Sequence, residues 1–195
     1  FVEETLGTVG FHATGSASLF RYEAEAYGQF GSRASTPIAA WLVGLRAGVK
    51  GGDGIGYDVG LGADLVSGNT SDSTIGTFDT LYATNHKFYG HFDQYLNLPV
   101  HTAGEGLADL LVSAKITSKY VVGGVDLHAF MSMSPTGNGF HGMELDVNAK
   151  AMPWKPVTIS AGLWLYAPGG FWLEGGSPEL AAYLMTDFTL SHKWG

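Results

Sequence analysis

The sequence predicts an all-β protein, an antiparallel transmembrane β-barrel of about ten strands, and three observations support this prediction. The first is an alternation of apolar and polar residues, which places the two kinds of side chain on opposite faces of a strand. The alternation is clearest at 85–95, where one face would hold Phe88, Gly90 and Phe92 and the other Lys87, Tyr89, His91 and Asp93.

The second observation is the length of the alternating segments. They span about 10 to 12 residues, whereas a typical globular strand has about 5 to 6 and a tilted membrane-crossing strand about 9 to 11. The third is the position of aromatic residues at segment ends, as in the interfacial girdles of membrane barrels. We expect strands at 4–14, 19–30, 40–50, 56–67, 85–95, 108–117, 120–131, 141–152, 157–166 and 181–194.

Composition narrows the class of protein. The 195 residues suit a single β-barrel domain over 1–195, and only 14% are charged, against roughly 25% in an average soluble domain. The net charge of −8 argues against a nucleic-acid partner. No apolar run is long enough for a transmembrane helix, no signal peptide is visible in the sequence, and the first residue is not Met. We therefore expect a processed chain or a piece of a longer one.

The polar faces carry charges in mid-strand, as at Glu23 with Glu25 and at Glu144 with Asp146. A water-filled lumen accepts such residues, whereas a packed core does not. A soluble antiparallel sheet or a lipocalin-like barrel, with these residues on a solvated outer face, is the alternative.

Loop lengths predict an orientation. If the last strand ends on the periplasmic side, the short links 117–119 and 152–156 are periplasmic, and the longer links 96–107, 132–139 and 167–180 are extracellular. The long polar stretch 67–85 then falls on the periplasmic side, where outer-membrane barrels usually have short turns. We predict that it is an ordered insert that folds under or into the barrel mouth, and a flexible turn is the alternative.

Several short elements occur in an order that resembles the alginate-export family of bacterial outer-membrane β-barrels. They are the turn at 64–69, Phe78-Asp79-Thr80-Leu81-Tyr82, Asn85-His86-Lys87-Phe88-Tyr89-Gly90 with Asp93, Gly106-Leu107-Ala108-Asp109-Leu110 and Gly142-Met143-Glu144-Leu145-Asp146. The resemblance implies a bacterial outer-membrane channel surrounded by lipid, with passive passage of polar or charged solutes or polysaccharide. Family barrels usually have about eighteen strands, so this chain resembles a C-terminal half or a shortened relative.

The predicted lumen residues carry both signs of charge. They are Arg21, Glu23, Glu25, Arg46, Lys87, His91, Asp93, Asp126, His128, Glu144 and Asp146. Lys87 and Arg46 would attract anionic groups, and the carboxylates would set the local sign. The sequence pairs His91–Asp93 and Asp126–His128 could activate water in an outer-membrane hydrolase, but bracing of the barrel wall is the favoured interpretation, so we predict no enzyme activity.

No cofactor is expected. Asn69, Asp72 and Asp79 offer the hard oxygen ligands that Ca²⁺ prefers, in a spacing that matches no standard loop. The alternative function is a non-conducting structural or scaffold barrel, or a fragment, that docks partner protein chains through 96–107 and 167–180. The apolar, Gly- and Trp-rich run at 168–173 favours this alternative, since exposed aromatic residues mark contact sites.

Overall fold

A computed structural model of the chain describes residues 3–81, 85, 88–135, 137, 139–154, 157–169 and 181–190. In this part of the chain, nine strands form one antiparallel sheet in sequence order. The strands are β1 (Glu4–Ala17), β2 (Phe20–Arg33), β3 (Thr36–Gly51), β4 (Gly56–Val66), β5 (Leu107–Thr117), β6 (Val121–Met131), β7 (Phe140–Trp154), β8 (Val157–Pro168) and β9 (Ala181–Leu190). One short helix, α1, covers Leu98–His101. No helix in the described part of the chain is long and apolar enough to cross a membrane.

The all-β, antiparallel part of the prediction is confirmed, and each of the nine strands overlaps a predicted segment. The predicted strand at 85–95 is wrong. Gly90 and Asp93 have φ angles of 81° and 65°, which break an extended chain. Rings from both expected faces, those of Phe88, Tyr89 and Phe92, pack against one hydrophobic cluster. Alternation in the sequence therefore did not reflect a two-sided environment here.

The described sheet has two contrasting faces. One face, which we name the apolar face, exposes aliphatic side chains such as Leu45, Leu61, Val112 and Leu184. Exposed aromatic residues lie near both of its rims: Phe20, Tyr22, Tyr57, Tyr120 and Phe188 at one end and Phe30, Trp41 and Phe140 at the other. The opposite, polar face holds the charged residues. The alternation in the strands has produced this separation.

We name the connection between β4 and β5, residues 67–106, the covering segment, and its described residues lie across one end of the polar face. Its Phe78, Tyr89, Tyr95 and Leu98 are buried in a cluster with strand residues that include Phe130. This cluster is the hydrophobic core of the described structure. It lies on the polar side of the sheet because the covering segment brings its own apolar side chains there.

Short and long connections lie mostly at opposite ends of the sheet. At one end, the turn end, the links β1–β2, β3–β4, β5–β6 and β7–β8 are all short. The other, the loop end, holds the covering segment, the link 132–139 and the link 169–180, together with the two-residue turn of β2–β3. The prediction that placed 67–85 at the end opposite to 132–139 is therefore wrong. The error arose because each strand moves the chain to the opposite end of the sheet, and the extra strand predicted at 85–95 therefore assigned 67–85 to the wrong end.

The sheet is open in the described residues. There β1 pairs with β2 alone and β9 with β8 alone, so β1 and β9 are edge strands. Nine consecutive antiparallel strands also make β1 and β9 run in the same direction. A direct β1–β9 pair would therefore be parallel.

Candidate functional site

The polar face gathers most of the predicted lumen residues. The strands place Arg21, Glu23, Glu25, Arg46, Asp126, His128, Glu144 and Asp146 on it, because these residues occupy the inward alternate positions of β2, β3, β6 and β7. His91 reaches the same face from the covering segment. Asp93 lies in the covering segment and is exposed. Lys87 lies outside the described residues.

Arg46 is the centre of a charge network near the middle of the polar face. Its guanidinium forms a close ion pair with Asp64, and its Nη1 lies 3.8 Å from Glu25 Oε1 and 3.9 Å from Glu23 Oε1. The ring of Phe88 lies 5.7 Å from the guanidinium carbon, within cation–π range. One cation therefore faces three carboxylates, and the covering segment shields it from water.

A second network joins β5, β6 and β7 to the covering segment. His128 Nδ1 lies 2.8 Å from Asp109 Oδ2, and His91 Nδ1 lies 3.2 Å from Asp146 Oδ2. The sequence had suggested pairing of each imidazole with the carboxylate two positions away, Asp93 or Asp126. The carboxylates that the imidazoles contact come instead from other elements. Asp109 lies diagonally across the β5–β6 pair from His128, and His91 reaches Asp146 of β7 from the covering segment.

Two buried carboxylates of β7 hold the covering segment to the sheet. The backbone N–H of Phe92 donates to Glu144 Oε1 at 2.6 Å, and that of His91 donates to Asp146 Oδ2 at 3.3 Å. Neither carboxylate is exposed. Gly90 lies directly against the Glu144 carboxylate in a left-handed conformation, so a side chain at this position meets both a clash and backbone strain.

Aromatic contacts and the side-chain amide of Gln29 also attach the covering segment to the sheet. The His91 ring stacks on Trp164 with centroids 5.8 Å apart, and the Tyr95 and Tyr166 hydroxyls lie 3.1 Å apart. At the other side of the sheet, Gln29 donates to the Asp79 carbonyl at 2.6 Å and accepts the Asp79 N–H at 2.8 Å. The covering segment is therefore fastened both to β2 and to β7 and β8.

The turn end of the polar face remains an open cleft of about 440 Å³. Arg21 binds Asp58 there with two donors, Nε at 2.7 Å and Nη2 at 2.6 Å from Oδ1. The cleft is lined by polar and charged side chains that include Lys115, Lys150 and Asn148. It can hold water and small polar solutes.

Two of the three suggested Ca²⁺ ligands already accept hydrogen bonds from backbone N–H groups of the covering segment. Asn69 Oδ1 accepts from the N–H groups of Gly76 and Thr77, and Asp79 Oδ1 accepts from the N–H of Leu81. Asp72 is exposed. Among the described residues, no three His, Asp or Glu side chains group in a way that could hold a metal ion. We therefore propose no metal site.

The ring of His91 gives the attachment a pH dependence. The hydrogen bond to Asp146 raises the pKa of His91 against the opposing effect of partial burial, and Asp126 and His128 also face it. Because the pKa is raised in the folded state, protonation of His91 stabilises the attachment in full at pH values below the ordinary pKa of about 6.5. This contribution is lost as the pH rises through the higher pKa of the folded state. Hydrogen exchange of the covering segment is thus expected to accelerate over this interval.

The control for that expectation is His91→Gln, which keeps a polar side chain but does not titrate. Subtracting its opening free energy from that of the wild-type chain at each pH isolates the contribution of the imidazole, because the other carboxylates and His128 titrate in both proteins. Parallel curves for the two proteins would contradict the assignment.

Gln29, Tyr95 and Tyr166 are site residues that no sequence pattern indicated. Gln29 falls at a polar position of an alternating strand and differs in no visible way from its neighbours. The aromatic density of 88–95, combined with Gly90, was the available signal for a packed connection.

No protein-family model matches the chain, and no curated protein shows significant similarity to it. The resemblance to the alginate-export family therefore stays a prediction.

Proposed function

We propose that this chain forms all or part of a transmembrane β-barrel channel of the bacterial outer membrane, of the alginate-export type, for passive passage of polar or charged solutes or polysaccharide. The observation that carries the proposal is the contrast between the two faces of one long-stranded sheet. An exposed apolar face with aromatic rims lies behind a face of paired charges.

The apolar face supports a lipid environment. Monomeric soluble proteins rarely expose contiguous apolar patches larger than a few hundred Å². Here exposed aliphatic residues continue from β1, with Val9, to β9, with Leu184. Lipid removes the cost of exposing them to water, and the aromatic residues at both rims match the interfacial girdles of membrane barrels.

The polar face supports passage of small polar solutes with a preference for cations. On the described strands, acidic residues at inward positions (Glu4, Glu23, Glu25, Asp58, Asp64, Asp109, Asp126, Glu144 and Asp146) outnumber basic ones (Arg21, Arg33, Arg46, Lys50, Lys115 and Lys150). Rings of carboxylates favour cations in a pore. The covering segment would narrow the path at the loop end, which is extracellular if the long loops face outward as in other barrels.

The edge strands set a condition for this proposal. Unpaired backbone groups are not tolerated in lipid, so β1 and β9 must each gain a partner. Because β1 and β9 run in the same direction, antiparallel closure takes an odd number of additional strands, whereas closure by this chain alone takes a parallel pair.

The test is single-channel recording of the refolded chain in a planar bilayer. We expect discrete steps and a cation-selective reversal potential, and we expect Arg46→Gln to shift that potential further towards the cation limit because it removes a cation at the centre of the face. Arg33→Gln, at the exposed rim, is the matched control and should shift it less. Anion selectivity, or equal shifts for the two variants, would contradict this role of the charged face.

A non-conducting scaffold barrel is the second candidate, and the open sheet with its partly covered polar face favours it. Partner protein chains would supply the missing strands or dock on the loops, including 96–107. A refolded chain that inserts into lipid but gives no steps would support the scaffold over the channel.

A further inference from the structure

A cavity of about 260 Å³ lies beneath the covering segment, between it and the first four strands. Its walls combine aromatic and aliphatic residues with three acidic ones. The lining residues include Tyr27, Leu42, Phe78, Phe88 and Tyr89, together with Glu25, Asp64 and Asp79. This cavity is separate from the open cleft at the turn end, and the proposed passage of solutes makes no use of it.

The carboxylates of Glu25 and Asp64 both lie against Gly44 of β3. A Cβ atom on this glycine would lie 2.8 Å from Asp64 Oδ1 and 2.8 Å from Glu25 Oε1. Contacts this short leave no room for a side chain, so the two carboxylates already occupy the place beside the Gly44 Cα and bring one oxygen of each close together.

One of these oxygens lacks a partner in the described structure. Asp64 is 4% exposed, and its Oδ1 has no hydrogen-bond partner, while its Oδ2 pairs with Arg46. A buried carboxylate oxygen without a donor is costly, so its position beside a cavity indicates a group that arrives with a donor. Arg46 is a single cation beside both Asp64 and Glu25, so it cannot offset both carboxylates.

From this geometry we propose that the cavity binds a small organic amine. The protonated amino group lies in the cavity and donates to Asp64 Oδ1 and Glu25 Oε1. The apolar part of the ligand lies among Phe78, Phe88 and Leu42. Aromatic walls around a carboxylate suit an organic cation, since aromatic faces attract cations and also receive the apolar body.

Size and ligand number favour an amine over a metal ion. A cavity of about 150 Å³ can hold a benzene molecule, so this larger one has room for a ring with an aminoalkyl chain. Ca²⁺ takes six to eight oxygen ligands, and no three acidic or imidazole side chains of the described residues group closely enough to hold a metal ion.

The test is isothermal titration of the refolded chain with 2-phenylethylamine, compared with 2-phenylethanol, which has the same ring and chain without the positive charge. We expect the amine to bind at least tenfold more tightly than the alcohol. We expect Asp64→Asn to reduce amine affinity about tenfold or more, because it removes a charge-assisted hydrogen bond, and to leave binding of the alcohol nearly unchanged.

Gly44→Ala is the second variant, in case Asp64→Asn, which also alters the pair with Arg46, does not fold. The new methyl group would clash with both oxygens and push the two carboxylates apart, so it should abolish the preference for the amine. Asp58→Asn, on the same face but outside the cavity, is the matched control and should bind the amine as the wild-type chain does. Equal affinity for amine and alcohol in the wild-type chain, or unchanged amine affinity in both cavity variants, would overturn the proposal. None of these titrations depends on conduction, so a silent bilayer recording leaves the test intact.

Discussion

Tyr95→Ala is expected to detach the covering segment from the sheet while the strands stay paired. Tyr95 is 1% exposed, and its ring lies 4.6 Å from that of Phe130 between centroids. Removing a buried aromatic ring typically costs about 3 to 5 kcal/mol. The attachment depends on few such anchors, so a loss of this size should open it locally. Hydrogen exchange should show fast amides within 88–101 and unchanged protection in β2, β3 and β6.

Tyr95→Phe is the matched control because it keeps the ring and removes only the hydroxyl that contacts Tyr166. Its expected cost is about 0.5 to 1.5 kcal/mol, so the covering segment should stay attached. If the chain conducts, Tyr95→Ala should also increase the conductance of each step, since the covering segment narrows the path. Global loss of strand protection in Tyr95→Ala would contradict a local role.

The strands could be predicted from the sequence because each one separates two environments. Alternation in β2, where Glu23 and Glu25 alternate with Tyr22 and Ala24, reports the two faces directly. The same pattern misled at 85–95. Tyr89 and Phe92 there belong to opposite alternate positions, yet both pack into one cluster because Gly90 and Asp93 turn the chain. Periodicity describes a segment only where the backbone is regular.

The composition of the site was partly predictable and its connectivity was not. Charges at inward positions, such as Arg46 and Glu144, follow from alternation alone. Which carboxylate meets which cation depends on register, and register places Asp64 beside Arg46 and Asp109 beside His128. No local sequence pattern encodes such pairs. The cavity beneath the covering segment was equally hidden, since its walls come from segments that are distant in the sequence.

The environment of the apolar face can be decided by one pair of substitutions. Leu61 lies on that face near the middle of β4 and is 65% exposed. In a bilayer, Leu61→Arg places a charge in the hydrocarbon region and should lower the free energy of unfolding by about 2 to 4 kcal/mol. On a water-exposed sheet, the same substitution should change it by less than about 0.5 kcal/mol. Urea unfolding of the chain in lipid vesicles measures the difference.

Ser113→Arg is the matched control, because it introduces the same side chain on the polar face of the neighbouring strand β5. Ser113 lies opposite Asp126 and borders the open cleft, so the new guanidinium would have water and a carboxylate beside it. We expect little change in stability there. A large cost at Leu61 with a small one at Ser113 requires lipid on one face and water on the other, which is the arrangement that a membrane barrel imposes. Small costs at both sites would mean that water bathes both faces, and the apolar face would then need a protein partner to cover it.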